Sequence, residues 1–134
     1  MRDKLVDALT LFLSSKWHRE NYSLEDIQNY VVSPLRYNRM RIFYSEGKPI
    51  GAVSWVFLSD ERADEFRSGF SLKEEDFVGD KGRLWGVDFI STEGSARAML
   101  TNLRKLKKRV YPDLGSEVNF IRYKTDKKLH KVRL

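Results

Sequence analysis

Two side chains of this sequence could move a proton in a reaction near neutral pH. His18 follows Trp17 at the end of an apolar segment, and a neutral imidazole can accept a proton near pH 7. Asp88 lies inside the apolar run Leu84 to Ile90, where a carboxylate has a desolvation cost unless it is paired or hydrogen-bonded. Each also has a structural interpretation, since a lone histidine is more often structural and the aspartate could pair with a nearby arginine. The residue pattern alone therefore marks both as candidates but does not indicate that they act together.

A third candidate is the segment Gly94, Ser95 and Ala96, which precedes a long helical pattern. Backbone N–H groups at the start of a helix attract anions, and a glycine permits close approach of the backbone to a ligand. The segment could therefore receive a phosphate group. The alternative is that Ser95 simply caps the helix.

Composition limits the classes of function. The chain has 134 residues, which fits one domain spanning 1–134, and it has no cysteine, so a thiolate nucleophile and a cysteine-based metal site are excluded. No metal site is predicted. Neither a signal peptide nor a run of apolar residues long enough to span a membrane is evident, so we expect a cytoplasmic protein. The net charge of +6 favours anionic partners.

Hydrophobic periodicity predicts an α+β or α/β domain whose sheet is covered by helices. The chain opens with an amphipathic helix near Arg2 to Lys16, so that His18 lies in the connection to a second short helix. Ser23 and Asp26 form a capping box that opens this second helix, with Leu24, Ile27 and Val31 facing inward and Pro34 just past its end. The remaining predicted elements are a β-hairpin (Met40 to Tyr44 and Ile50 to Leu58), a mixed segment (Asp60 to Phe77), a strand (Arg83 to Ser91), a helix (Ala96 to Val110), a strand (Val118 to Tyr123) and a basic tail (about 124–134) that includes His130.

Strand periodicity also predicts which residues of the third strand share a face. Trp85, Val87 and Phe89 are expected on one face, and Asp88 on the other with Leu84, Gly86 and Ile90. On the long helix, the buried stripe is expected to be Met99, Leu103, Leu106 and Val110.

Four blocks of the sequence resemble successive blocks of the RTX toxin-activating lysine acyltransferases, the hemolysin-activating family. They are Trp17-His18-Arg19, Ser33-Pro34-Leu35-Arg36, the run from Gly47 to Trp55 and the run from Arg83 to Ile90. The blocks follow the order and nearly the spacing of that family over roughly residues 10–125.

The resemblance implies a fold like that of the GNAT acetyltransferases, with a twisted, mostly antiparallel sheet flanked by helices. It implies transfer of a fatty acyl group from acyl carrier protein to an internal lysine of an RTX protoxin, with no permanently bound cofactor and with acyl carrier protein as co-substrate. The catalytic histidine and aspartate of the family fall on His18 and Asp88, and Asn29 matches an assisting asparagine. The segment from Gly94 to Ala96 would receive the phosphate of the acyl donor. A homodimer remains open.

Two other classes of function are compatible with the residues. The charge, the aromatic content and the basic tail would suit a small nucleic-acid-binding module, but the basic residues are spread out and the aromatic residues resemble core, so no nucleic-acid partner is expected. A generic GNAT-type enzyme would use acetyl-CoA and a small amine. The absence of a glycine-rich phosphate loop from Thr92 to Ala96 weighs against CoA.

Overall fold

A five-stranded sheet organises the protein. In the computed structural model, which describes residues 3–92, 94–114, 117–121 and 129–133, the strands lie in the order β1-β2-β3-β4-β5. Three neighbouring pairs are antiparallel and β3 pairs with β4 in parallel, so the predicted α+β class and mostly antiparallel sheet are confirmed. The strands are β1 (Met40–Ser45), β2 (Lys48–Leu58), β3 (Arg83–Ser91), β4 (Glu117–Ile121) and β5 (Leu129–Arg133).

Six α-helices and two short helical turns connect or cover these strands within the described residues. The α-helices are α1 (Lys4–Ser14), α2 (Lys16–Asn21), α3 (Leu24–Ile27), α4 (Ser33–Arg36), α5 (Asp60–Arg67) and α6 (Ala96–Val110). A π-helical turn (Gln28–Val32) joins α3 to α4, and a 3-10 turn (Glu74–Phe77) follows α5.

The predicted hairpin, third strand and long helix are confirmed. The chain reverses between β1 and β2 at Glu46 and Gly47, which both have positive φ angles, of 52° and 77°. A two-residue turn with this backbone matches the twist of the strands it joins, and glycine adopts it without steric cost. Along α6, Met99 and Leu103 are buried, but Val110 is 49% exposed, so the predicted stripe ends before the last turn.

The second helix departs from its prediction in two respects. The capping box of Ser23 and Asp26 is present, but Leu24 is 89% exposed instead of facing inward. Pro34 does not stop the helix, because a π-turn precedes it and the chain stays helical through α4. Proline is tolerated in the first turn of a helix, where its missing N–H would have no intrahelical acceptor.

Part of the predicted basic tail is a β-strand. Its described part forms β5, which pairs with β4, whereas the sequence predicted a basic tail over about 124–134 and no fifth strand. The predicted fourth strand begins one residue earlier than expected, and its last two residues, Arg122 and Tyr123, lie outside the described residues.

Hydrophobic residues pack on both faces of the sheet. One face meets α1, the π-turn and the segment after β2, with Val56, Trp85 and Phe66 among its buried side chains. The opposite face meets α6 through Val53, Met99 and other side chains. The site described below lies on the first face.

Candidate active site

A serine between two helices positions His18. Ser15 has extended backbone angles between α1 and α2, and its side-chain oxygen accepts a hydrogen bond from the backbone N–H of His18 at 3.4 Å. This is the usual role of an N-cap serine. His18 was predicted in the connection between two helices. It lies instead inside α2, a helix of six residues, so the connection is itself a turn of helix.

A β-bulge places Asp88. Val53 of β2 pairs with Phe89, and Trp55 pairs with Gly86, so Ser54 alone faces both Val87 and Asp88. An extra residue of this kind interrupts the alternation of side chains and can redirect one of them. The backbone N–H of Asp88 donates to the side-chain oxygen of Ser54 at 3.1 Å, and both residues are buried.

The bulge makes the predicted division of β3 between two faces wrong in part. Trp85 and Val87 pack in the same cluster as Val56, while Phe89 packs beside Met99 on the opposite face. Asp88 lies on the side of α2 and shares that face with Ile90 as predicted, but the same face also holds Trp85 and Val87, which alternation had separated from Asp88.

The structure brings His18 and Asp88 into direct contact. Nε2 of His18 lies 3.0 Å from Oδ1 of Asp88, and the two side chains are 12% and 7% exposed. A carboxylate can only accept hydrogen bonds, so Nε2 carries the hydrogen of a neutral imidazole and Nδ1 carries its lone pair. Nδ1 lies 2.6 Å from the side-chain oxygen of Ser15. The hydroxyl hydrogen of Ser15 therefore points to Nδ1.

The second carboxylate oxygen of Asp88 is also occupied. The hydroxyl of Tyr22 donates to Oδ2 at 2.6 Å. Phe12, Trp17 and Tyr22 surround the imidazole of His18, each with its ring centroid about 5 Å away and its plane steeply inclined to the imidazole. The ring is therefore held by apolar contacts on its faces and by hydrogen bonds at both nitrogens.

This arrangement has the chemistry of an activated proton acceptor. A hydroxyl, an imidazole and a buried carboxylate follow one another within hydrogen-bonding distance, as in sites where a base removes a proton from a weak nucleophile. The carboxylate orients the ring and stabilises the imidazolium that forms when Nδ1 takes a proton. In this structure, the hydroxyl of Ser15 donates a hydrogen bond to Nδ1.

Asn29 is buried in the π-turn, next to Tyr30 in sequence. Within the part of the chain that the structure describes, the hydrogen bonds of the His18 and Asp88 side chains go to other residues and none reaches Asn29. Asn29 remains a prediction from the resemblance.

The segment at the start of α6 is not capped as expected. Gly94 is exposed with a φ of +82°, and Ser95 is buried. The Ser95 hydroxyl lies 2.7 Å from the carbonyl oxygen of Thr92 and 3.2 Å from that of Ile50, and it makes no capping bond to the helix. The capping interpretation of Ser95 is therefore wrong, and its side chain joins the helix start to β2.

Tyr30 packs against Tyr22 and lies outside the pair formed by His18 and Asp88. Its ring stacks on Tyr22 with centroids 5.4 Å apart, and its hydroxyl accepts a hydrogen bond from the backbone N–H of Leu72 at 3.0 Å. Burial raises the pKa of this hydroxyl above its ordinary value of 10.0, and the bond from Leu72 offsets only part of the increase.

Three residues that hold the site were not predicted, namely Ser15, Tyr22 and Ser54. Ser15 had a signal, because a serine three residues before a histidine at a helix start can cap that helix. Tyr22 follows His18 by four residues, a spacing that places two side chains on one face of a helix. Ser54 had no comparable signal, since its role depends on a bulge in another strand.

The described residues contain neither a cluster of metal ligands nor a membrane-spanning helix. No group of three or more histidine, aspartate or glutamate side chains is placed to hold a metal ion among them. None of the helices in the same part of the chain has the length and apolar character needed to cross a membrane.

Comparison with known proteins agrees with the resemblance of the sequence. No curated protein matches the chain. The family model of the RTX toxin acyltransferases matches residues 3–134, which is essentially the whole length. The chain therefore belongs to the RTX toxin acyltransferase family.

Proposed function

We propose that the protein transfers a fatty acyl group from acyl carrier protein to the side-chain amine of an internal lysine in an RTX protoxin. Family membership makes it an RTX toxin-activating acyltransferase. The observation that carries the proposed mechanism is the 3.0 Å contact between His18 and Asp88 on the sheet face next to α2.

The acceptor lysine must lose a proton before it can attack. An unperturbed lysine amine has a pKa of about 10.4, so it is mostly protonated at neutral pH. In the proposed mechanism, the Ser15 hydroxyl gives its hydrogen to Nδ1 of His18 as it takes one from the amine. Asp88 stabilises the resulting imidazolium through Nε2.

The deprotonated nitrogen then attacks the carbonyl carbon of the acyl thioester. A tetrahedral oxyanion forms, which backbone N–H groups of the sheet would stabilise. When it collapses, the carbon–sulfur bond breaks, the thiolate of the carrier arm takes the proton that His18 holds, and the attacking nitrogen releases its second proton to water. The products are an amide on the lysine and the free thiol of the carrier.

An acyl-His18 intermediate is the rival mechanism. It would need one ring nitrogen to be free to attack the thioester. Both nitrogens are engaged, Nε2 with Asp88 and Nδ1 with Ser15. This arrangement favours general base catalysis.

Two features support acyl carrier protein as the donor. The first turn of α6 has no side-chain cap, so its backbone N–H groups could receive the phosphate of the carrier arm near Gly94, Ser95 and Ala96. Along the same helix, exposed basic side chains form a surface suited to an acidic carrier protein. They are Arg97, Arg104, Lys105 and Lys108, with the half-buried Lys107 beside them. Acyl carrier proteins and unsecreted protoxins meet in the cytoplasm, which is the location we propose.

The test is acyl transfer with purified components. The protein, a fatty acyl carrier protein and a lysine-bearing protoxin fragment are mixed, and the mass added to the fragment is measured over time. His18→Ala should lower the rate about 10²- to 10⁴-fold, the range of a general base. His130→Ala, which removes the other histidine, should have little effect. Undiminished transfer by His18→Ala would contradict the mechanism.

A nucleic-acid-binding function gives a different result in the same preparation. Binding of DNA or RNA that weakens steeply with salt, without any binding of acyl carrier protein, would favour that alternative over transfer.

A further inference from the structure

We infer that Tyr22 is a positioning residue for the catalytic pair, a role that rests on the proposed function of His18 and Asp88. The Tyr22 hydroxyl donates to Oδ2 of Asp88 at 2.6 Å, while Oδ1 faces His18 at 3.0 Å. Each oxygen of the carboxylate therefore has its own donor. In this role Tyr22 acts through Asp88 and does not touch the substrate.

The rotation of the carboxylate is the property that Tyr22 controls. The final side-chain torsion of an aspartate is broad and roughly two-fold, so packing alone does not select which oxygen faces a neighbour. In the described residues, the donors to the Asp88 carboxylate are His18 and Tyr22, and the Ser54 contact involves only the backbone N–H. Without the Tyr22 hydroxyl, one oxygen of a carboxylate that is 7% exposed has no donor. The carboxylate would then turn or draw in water, and His18 would lose its fixed acceptor.

The ring of Tyr22 is held firmly enough to impose this orientation. It stacks on Tyr30 and on Phe12, with centroids 5.4 and 5.9 Å apart, and its edge meets the ring of Trp17 at 5.8 Å. The hydroxyl thus has a fixed position relative to β3. Tyr22 also meets the imidazole of His18 at 4.9 Å, so a single side chain touches both members of the pair.

Tyr22→Phe tests the inference because it removes the hydroxyl and keeps the ring. Tyr30→Phe is the matched control, since it removes a hydroxyl from the same stack, one that is bonded to the backbone of Leu72 and not to Asp88. We expect kcat of Tyr22→Phe to fall about 10- to 100-fold, the equivalent of a hydrogen bond to a charged group, with KM for donor and acceptor within about twofold. Tyr30→Phe should keep kcat within about twofold at temperatures where it is folded.

A double-mutant comparison separates positioning from a general loss of stability. If Tyr22 acts through Asp88, adding Tyr22→Phe to Asp88→Ala should lower kcat no further. A full additional loss in the double variant would overturn the inference. So would an unchanged kcat in Tyr22→Phe.

A spectroscopic measurement tests the inference independently of activity. The proton on Nε2 of His18 should give a downfield nuclear magnetic resonance signal, identified by its loss in His18→Ala. We expect Tyr22→Phe to shift or broaden that signal and Tyr30→Phe to leave it unchanged. If the wild type transferred no acyl group yet showed this pattern, the proposed function would fail while the positioning role stood. A signal unaffected by Tyr22→Phe would overturn the positioning role whatever the activity.

Discussion

Replacing Asp88 by asparagine tests the hydrogen-bond chain with the smallest change of shape. Wild-type Asp88 accepts from His18 at 3.0 Å and from Tyr22 at 2.6 Å. An asparagine can accept on one side only, and keeping an acceptor for the Tyr22 hydroxyl turns its NH₂ group toward His18. Two donors would then face each other, so the imidazole would move its hydrogen from Nε2 to Nδ1. The lone pair that faces Ser15 would be lost.

The size of the effect follows from what is removed. The variant loses both the correct tautomer and the negative charge that stabilises the imidazolium, which together represent the contribution of general base catalysis. We expect kcat/KM to fall about 10²- to 10⁴-fold, or about 2.7 to 5.4 kcal/mol in activation free energy. The cost in folding free energy should be smaller, about 1 to 3 kcal/mol, because the side chain stays hydrogen-bonded.

Asp76→Asn is the control for loss of a buried carboxylate. The Asp76 side chain is 11% exposed and pairs with Arg62 through two contacts of 2.9 Å, far in sequence from His18. Acyl transfer and urea unfolding are measured for both variants. A role of Asp88 in catalysis is refuted if Asp88→Asn keeps kcat/KM within threefold of the wild type, or if Asp76→Asn loses as much activity at equal stability.

Three further outcomes are expected from other side chains. Ser15→Ala should slow acyl transfer about 10- to 100-fold without abolishing it, because Nδ1 of His18 remains a base. An acyl group found on Ser15 of the wild-type protein by mass spectrometry would instead show that Ser15 is a covalent nucleophile. Ser54→Ala should lower the free energy of unfolding by about 1 to 3 kcal/mol, since the buried N–H of Asp88 loses its acceptor, and unchanged urea unfolding would contradict this. Burial raises the pKa of Tyr30, so its contribution to stability is fully present below the unfolded pKa of 10.0 and is lost as pH rises through the folded pKa. The free energy of unfolding measured with urea should therefore fall more steeply between about pH 9 and pH 11 in the wild type than in Tyr30→Phe.

Local patterns predicted the elements better than the contacts between them. The β-hairpin, β3 and α6 follow from alternation, helical spacing and the glycine turn, which depend on neighbours in sequence. The passage of the helix through Pro34 follows the π-turn, a local departure from regular helical spacing. The residue types in this segment do not predict a π-turn.

The proposed catalytic pair, His18 and Asp88, shows the same limit more clearly. A carboxylate in an apolar strand was conspicuous, but strict alternation separated Asp88 from Trp85 and Val87, which share its face. The bulge opposite Ser54 is a property of two paired strands, so periodicity within β3 could not reveal it. Only the family resemblance linked His18 with Asp88 before the structure placed them in contact.

The short length of α2 makes the chemistry and the folding of the site depend on each other. A helix of six residues is well below the length at which an isolated helix is stable in water, and α2 buries none of its own residues fully. It is held instead by the Ser15 cap, by the rings around Tyr22, and by the hydrogen bonds that Asp88 accepts from His18 and from Tyr22, the residue just after the helix. Asp88 therefore fixes the helix that carries His18, its proposed catalytic partner. Substitutions there should change the position of His18 as well as its hydrogen bonding, which is why the magnetic resonance of the imidazole must accompany any kinetic comparison.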